Sequence, residues 1–338
     1  MERKEIKSFI VMKELDQKYR RLQDILRGYG SVAVAFSSGV DSTFLLQAAH
    51  EALGERVLAI TTTAPWFPQR ESEETKAFCA ARGIRHLVVS AIEPGEEDES
   101  DRRDDDGRDC EDNWGIPQFR ENPPDRCYHC KKALFQNMKS IAARHGIAVI
   151  AEGSNTDDDG DYRPGHRAIR ELGIRSPLRE ADLSKDDIRQ LSRQMGLPTW
   201  DKPSFACLAS RFPYGELITG EKLQMVEQAE EYLLVSGFTQ MRVRIHETTS
   251  GDLIGRIELP EEDISRLLAA DLRTRVREKL QALGFTYISL DLAGFQTGSM
   301  NRTLGDEVLR QGLAHGDTTK NAPEDMPENT PGEAGRGE

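Results

Sequence analysis

The run Val32-Ala33-Val34-Ala35-Phe36-Ser37-Ser38-Gly39-Val40-Asp41-Ser42 constrains this chain more than any other stretch. It opens on small and β-branched apolar residues, which read as a buried parallel strand. A Ser/Gly-rich turn follows, and Phe44-Leu45-Leu46 then fits the first turns of a helix. Strand, tight loop and helix N-terminus together bind phosphate, because free backbone N–H groups and the positive end of the helix dipole point at the anion. Gly39 and the small serines let oxygens approach the backbone, and the hydroxyls of Ser37 and Ser42 can donate. Asp41 suits an anion site when a divalent cation shares it, as a magnesium nucleotide supplies.

The stretch lacks the Gly-Lys-Ser/Thr ending of a Walker A loop and the Gly-x-Gly-x-x-Gly fingerprint of a dinucleotide fold. It resembles the Ser-Gly-Gly-x-Asp-Ser pyrophosphate-binding loop of the ATP pyrophosphatases, which activate a substrate by adenylation and release pyrophosphate. Ser38 stands where that family usually has glycine. If the position needs a positive φ, Ser38 is strained there.

Around this loop, strands alternate with helices. Ile6 to Gly28 carries a helical stripe of Leu15, Tyr19, Leu22, Ile25 and Leu26. A helix runs from the loop to Leu53, with Gly54 ending it. Strands are expected at Val57 to Thr63, His86 to Val89 and Ile147 to Ala151, and helices at Arg70 to Arg82 and Ala133 to His145. This order predicts an α/β fold with a doubly wound parallel sheet. Ligands then sit at the carboxyl ends of the strands, so Thr61 to Thr63 and Glu152 to Asp158 fall near the nucleotide, with Arg163 as a phosphate clamp. Ser184 and Asp187 form a capping box for a helix that ends at Gly196.

Residues 93–112 are acidic apart from a few arginines, the pattern of a solvated, disordered insertion in which Cys110 is incidental. Cys79 lies on an apolar helix face and reads as core. Cys127-Tyr128-His129-Cys130 puts two thiols within reach of one metal. Zinc, a redox pair and a coincidental pair all remain open for it, and Arg126, Lys131 and Lys132 beside it are expected to lower the thiol pKa values. Cys207 lies in a Pro- and aromatic-rich loop at residues 200–215, where Lys202 and Arg211 favour a thiolate.

After Gly215 the pattern changes to a small α+β unit. Helices are expected at Glu221 to Val235 and Glu261 to Leu283, and strands at Met241 to His246, Leu253 to Leu259 and Tyr287 to Leu290. Alternation puts Arg242, Arg244 and His246 on one face, opposite Val243 and Ile245. Two arginines there suit a phosphate or form a solvated sheet face, and taken alone the pattern favours the solvated face. The divisions expected are 1–200 for the ATP-binding domain, 201–220 for a catalytic loop, 221–311 for the smaller domain and 312–338 for a disordered tail.

The ordered series of motifs resembles the LarE-type ATP-dependent sulfur transferases. It runs from the phosphate loop through Asp161-Tyr162-Arg163-Pro164-Gly165, Ser210-Arg211-Phe212-Pro213-Tyr214-Gly215, Arg242-Val243-Arg244 and Arg256-Ile257-Glu258-Leu259-Pro260 to Leu290-Asp291-Leu292-Ala293-Gly294-Phe295. The resemblance implies an adenine nucleotide alpha hydrolase-like fold. It also implies adenylation of a carboxylate of pyridinium-3,5-biscarboxylic acid mononucleotide with ATP and magnesium. Sulfur insertion then gives the thiocarboxylate used in the nickel-pincer nucleotide of lactate racemase. Some members of the family sacrifice one cysteine; others carry Cys-x-x-Cys plus one loop cysteine, a set associated with a [4Fe-4S] cluster. This chain has Cys127, Cys130 and Cys207, with Ala206 at the sacrificial position, so the cluster is expected. By the same resemblance, Ser37, Gly39, Asp41 and Ser42 hold ATP and magnesium. Ser210, Arg211, Arg242 and Arg244 lie near the substrate phosphate, with Glu230 and Glu258 as acidic neighbours. A homo-oligomer built through the small domain is expected by analogy.

Composition narrows the partners. Within 338 residues a net charge of −13 argues against a large polyanion partner such as tRNA or DNA. No run of 18 apolar residues suggests a membrane span, and the N-terminus shows no signal-peptide core. Five cysteines do not resemble a disulfide framework, so a cytoplasmic protein is expected. The rival readings are a tRNA thiolase of the same superfamily and an ATP-binding regulatory module with a structural zinc.

Overall fold

The computed structural model describes residues 3–91, 114–116, 118–158, 164–203, 206–296 and 298–305. Four parallel strands, β1 (Val32–Ala35), β2 (Val57–Thr63), β3 (Arg85–Ser90) and β4 (Ile150–Ala151), lie in the order β3-β2-β1-β4. β1 and β2 are short runs of Val, Ala, Leu and Ile because both their faces are covered. Helices α1 (Arg3–Tyr29), α2 (Val40–Leu53), α3 (Gln69–Arg82), the short α6 (Pro177–Glu180) and α7 (Lys185–Gln194) contribute to the core over one face, where Leu22, Phe44, Phe78, Leu178 and Ile188 meet Val32 and Val34. Helices α4 (Arg126–Arg144) and α5 (Gly165–Glu171) cover the other, with Phe135, Ile141 and Ile169 against Ala33, Leu58 and Ile60. Each such buried side chain contributes about 1.5–3 kcal/mol. The capping box at Ser184 and Asp187 is present at the start of α7, and Cys79 is buried in this core.

The chain builds β1, β2 and β3 outward in one direction and then returns to place β4 on the other side of β1. The crevice at a sheet's carboxyl edge opens where the order reverses. Here it opens between β1 and β4, where the Ser37–Ser42 loop lies. The turn after β4 packs directly on that loop: a Cβ on Gly153 would sit 3.1 Å from Ser42 N and 3.2 Å from Asp41 Cβ. A side chain at Gly153 would therefore press on the phosphate loop, which would have to give by a few tenths of an ångström.

A second sheet has the order β5-β6-β7. Its strands are β5 (Arg242–Glu247), β6 (Leu253–Glu258) and β7 (Tyr287–Leu290); β5 and β6 pair antiparallel, β6 and β7 parallel. Helix α8 (Gly220–Val235) packs Val226, Ala229 and Leu233 against Val243, Ile245 and Ile257. Helices α9 (Glu261–Leu267) and α10 (Ala270–Ala282) make the crossover from β6 to β7.

Three expectations change in detail. The helix expected from Ala133 begins at Arg126, because Pro123-Pro124-Asp125 provides its start and the Pro123 carbonyl accepts from Arg126 N. Cys127 and Cys130 therefore sit three apart on the first turn of a helix, on one side of it. The strand expected over Ile147 to Ala151 is reduced to Ile150–Ala151. The long helix expected from Glu261 to Leu283 divides at Leu268 and Ala269, where Ala269 turns extended and starts α10. The acidic insertion, Cys110, the Asp161-Tyr162-Arg163 motif residues and the tail lie outside the described residues.

Candidate active site

The phosphate loop meets the requirements for an anion site. Gly39 caps α2 with no side-chain hydrogen bond, so the first-turn N–H groups have no capping side chain. Ser37 and Ser42 brace the loop: their hydroxyls lie 3.1 Å apart, and Ser37 N donates to Ser42 Oγ at 3.3 Å. Ser38 has a φ of 54°, the left-handed region in which glycine is usual. The strain foreseen from the sequence is therefore present.

Asp41 stands at the same helix start. Burial pushes its carboxyl up, the Lys185 ammonium paired with it opposes that shift, and Asp158 adds to it. Asn155 Nδ2 also donates to Asp41, at 3.3 Å. Two neighbouring carboxylates on oxygen-rich turns fit a divalent cation such as magnesium. Glu152, by contrast, is saturated internally, accepting from Ser154 N at 3.1 Å, Ser154 Oγ at 2.8 Å and Ser176 Oγ at 2.5 Å.

Of the three cysteines named from the sequence, Cys130 on α4 and Cys207 from a distant segment pack against one apolar cluster. Burial pushes the Cys130 thiol up, and the neighbouring Cys207 and Cys127 sulfurs add to the shift. Cys207 is likewise raised by burial and by Cys127, while Arg126 and Arg211 pull it down. The expected lowering of these two pKa values does not hold: Arg126 and Arg211 act on them, but Lys132 and Lys202 pair with Glu171 and Glu74, and desolvation outweighs the cations that remain. Arg126 is only 3% exposed and ties the two segments together, bonding Asn122 Oδ1 and donating to the Ala209 carbonyl at 3.0 Å. Its Nη2 lies 3.9 Å from Cys127 Sγ.

Trp66, fully buried among Trp114, Phe119 and Leu208, has an indole N–H without a hydrogen-bond partner. The Trp66 indole acts on Cys130, opposing the burial that raises its thiol pKa. A thiolate-ligated group beside Cys130 would give this orphaned donor an acceptor, and thiolates are the usual ligands of iron–sulfur clusters. Thiols are thus the ligand type that such a cluster uses. Among the described residues, no three His, Cys, Asp or Glu side chains are grouped as ligands for a metal ion.

The arginines of β5 are not on a solvated face. Arg242 and Arg244 are each 5% exposed, and Glu258 is fully buried. Arg244 Nη2 donates to Glu258 at 2.8 Å and Nη1 to the Ser210 carbonyl at 2.9 Å. Arg256 bridges Glu258 and Asp291. Arg211, also fully buried, holds Glu230 with two bonds of 2.8 and 2.6 Å. Glu230 further accepts from Val243 N at 2.9 Å. The Arg242 guanidinium is pushed down to about 10 by burial and by Arg211 and Arg244 beside it. His246 is half-buried, and its ring accepts from Arg256 Nε at 3.1 Å. The solvated reading fails because β5 is covered on both sides, and alternation cannot report what covers the polar face.

Sequence reasoning missed Lys185, Glu71, Glu74 and Trp66, whose roles come from packing between distant segments. The Glu71 carboxyl is pushed up to about 7 by burial, against the cations Lys202 and Arg70. It also senses Arg211.

A phosphate loop at the switch point of a parallel sheet, with a reversed order at β1 and β4, defines a pyrophosphate-loop ATP-binding protein. No family model matches the chain. It is 36% identical over 87% of its length, and 97% of the relative, to the pyridinium-3,5-bisthiocarboxylic acid mononucleotide synthase of Lactiplantibacillus plantarum. An uncharacterized protein of Synechocystis sp. is 38% identical over 86% of this chain and 99% of its own. A glutamine-hydrolyzing GMP synthase chain of Saccharolobus islandicus is similar at 25% over 63% of this chain and 58% of its own. The chain belongs to the LarE-type family of ATP-dependent sulfur transferases.

Proposed function

We propose that this enzyme adenylates a carboxylate of pyridinium-3,5-biscarboxylic acid mononucleotide and replaces the activated oxygen with sulfur, in nickel-pincer nucleotide synthesis. The family relationship supports the reaction. The observation that supports the choice of sulfur chemistry is the packing of Cys130 on α4 and of Cys207 from a distant loop against one apolar cluster, with Cys127 beside Arg126.

A carboxylate oxygen attacks the α-phosphorus of ATP, the bond to the β-phosphate bridge breaks, and pyrophosphate leaves. The first-turn amides of α2, with Ser37, Gly39 and Ser42, orient the phosphates, and Asp41 with Asp158 holds magnesium. A sulfide nucleophile then attacks the acyl carbon; the bond to AMP oxygen breaks and AMP carries the electron pair away. Cys127, Cys130 and Cys207 would hold a [4Fe-4S] cluster, which would supply that sulfide when bound. Arg242 and Arg244, with Ser210 beside them, set the substrate's phosphate near the cysteine loop, while the fully buried Arg211 positions that loop through the Ala206 and Cys207 carbonyls. Arg211 acts partly through Glu230, and Arg244 through Glu258, which fix their forks. A small-molecule nucleotide substrate fits an acidic protein, since the cations are gathered in one place rather than spread on a face.

Anaerobic purification followed by visible absorption and iron and sulfide analysis tests the reading. A brown protein near four irons per chain is expected, with C127S, C130S and C207S each losing iron and thiocarboxylate formation while still releasing pyrophosphate. An iron-free protein after reconstitution, with Cys207 losing the mass of one H₂S per turnover, would replace the cluster by sacrifice of that cysteine.

A further inference from the structure

Ser38 is a conspicuous departure inside the phosphate loop. A side chain at its φ of 54° sits in the left-handed region that favours glycine. Yet Ser38 is only 2% exposed, and its side chain is fully engaged. Its hydroxyl donates to Glu74 Oε2 at 2.8 Å, while Lys202 Nζ donates to both the Ser38 carbonyl and Oγ at 3.1 Å. Lys202 also pairs with Glu74, closing a triangle. A glycine would leave Lys202 only the backbone carbonyl on the loop and would detach Glu74 from it.

The triangle lies between the two halves of the site. Glu71 and Glu74 are three residues apart on α3 and share a side of it. Glu74 reaches the phosphate loop; Glu71 senses both Lys202 and Arg211. Arg211 Nη1 in turn donates to the Ala206 and Cys207 carbonyls at 2.8 and 3.1 Å. On its other side Lys202 is anchored to α7, whose Arg189 donates to the Trp200 and Lys202 carbonyls at 2.8 and 3.0 Å. The same helix begins at Lys185, the partner of Asp41.

The electrostatics make this arrangement responsive. Glu74 is a carboxylate at the rim of an anion site, and Lys202 neutralises it. An incoming phosphate competes with Glu74 for the same ammonium, and charge-assisted bonds to phosphate are among the strongest available. We infer that Ser38, Glu74 and Lys202 are positioning residues that make the placement of residues 197–203, the stretch leading toward the cysteine loop, depend on phosphate at the phosphate loop. The inference rests on the ATP-binding reading given above.

Hydrogen exchange of the full-length protein, with and without magnesium ATP, tests it. In the wild type, ATP should slow exchange both in the phosphate loop and at residues 197–203. In S38G and K202M the loop should still respond, while the ATP-dependent protection of 197–203 is lost. Pyrophosphate released per thiocarboxylate should rise in both variants. K202M should also weaken ATP binding by leaving Glu74 bare, and the K202M/E74Q pair should recover the affinity but not the coupling. If S38G does not fold, K202M, at a half-buried lysine, carries the same test. A purely structural Ser38 would give a more stable S38G with wild-type protection at 197–203, which overturns the inference. A wild type whose loop responds while 197–203 does not would overturn it as well. A wild type whose loop ignores ATP would instead remove the ATP-binding reading itself, and the coupling with it.

Discussion

The phosphate loop and the arginine–glutamate network around β5 handle charge in opposite ways. The loop relies on backbone N–H groups, two serine hydroxyls and one half-buried acid whose partner, Lys185, comes from another helix. Its donors are small and local, and its main carboxylate is held against its preference for protonation. Around β5, full charges lie in the interior and pair with one another: Arg211 with Glu230, Arg244 and Arg256 with Glu258. The contrast teaches that removing a group from the network should damage folding, whereas removing one from the loop should damage chemistry.

The largest expected effect tests the network. Arg211→Ala leaves Glu230 buried and unpaired, and a loss of about 3–5 kcal/mol in denaturant unfolding is expected. A loss below about 1 kcal/mol would mean that water or another cation replaces the guanidinium, and the contrast would fail. Asp41→Asn tests the other side. Because burial raises this carboxyl, neutralising it should cost little stability, yet pyrophosphate release should fall about 100-fold or more. Equal damage to folding and to turnover would blur the two regions into one.

The smallest effect lies between them, at Glu71. Its folded pKa of about 7 exceeds the ordinary 4.5, so the folded state binds the proton more tightly. That contribution is complete below pH 4.5 and disappears as the pH rises through about 7. Measured against Glu71→Gln, the wild type should therefore lose on the order of 2 kcal/mol of relative stability across that window. Parallel unfolding curves of the two proteins at every pH would show that Glu71 titrates normally, and Lys202 and Arg211 would then have no shared acid between them.

Much of the first region was legible along the chain. The strand, the turn and the helix start are consecutive residues, so spacing alone reports a phosphate site, and Ser38 could be flagged because glycine has a conformational reason to stand there. The capping box at Ser184 and Asp187 was legible for the same reason. The second region was misjudged. Alternation along β5 correctly separated Arg242 and Arg244 from Val243 and Ile245, but period two distinguishes only two faces. It does not say that the second face is covered, or that Glu230 from α8 and Glu258 from β6 wait there.

The sequence by itself determined the parallel α/β sheet, the phosphate loop, the family and the identity of the three cysteines, because hydrophobic period, turn chemistry and motif spacing are properties of neighbouring residues. The tertiary structure decided which cation serves which acid: Lys185 for Asp41, Lys202 for Glu74, Arg211 for Glu230. It also decided that burial, rather than the adjacent positive charges, controls the Cys130 and Cys207 thiols. Desolvation and long-range pairing depend on what the rest of the chain brings alongside, and that is fixed only when the two sheets and their helices have packed.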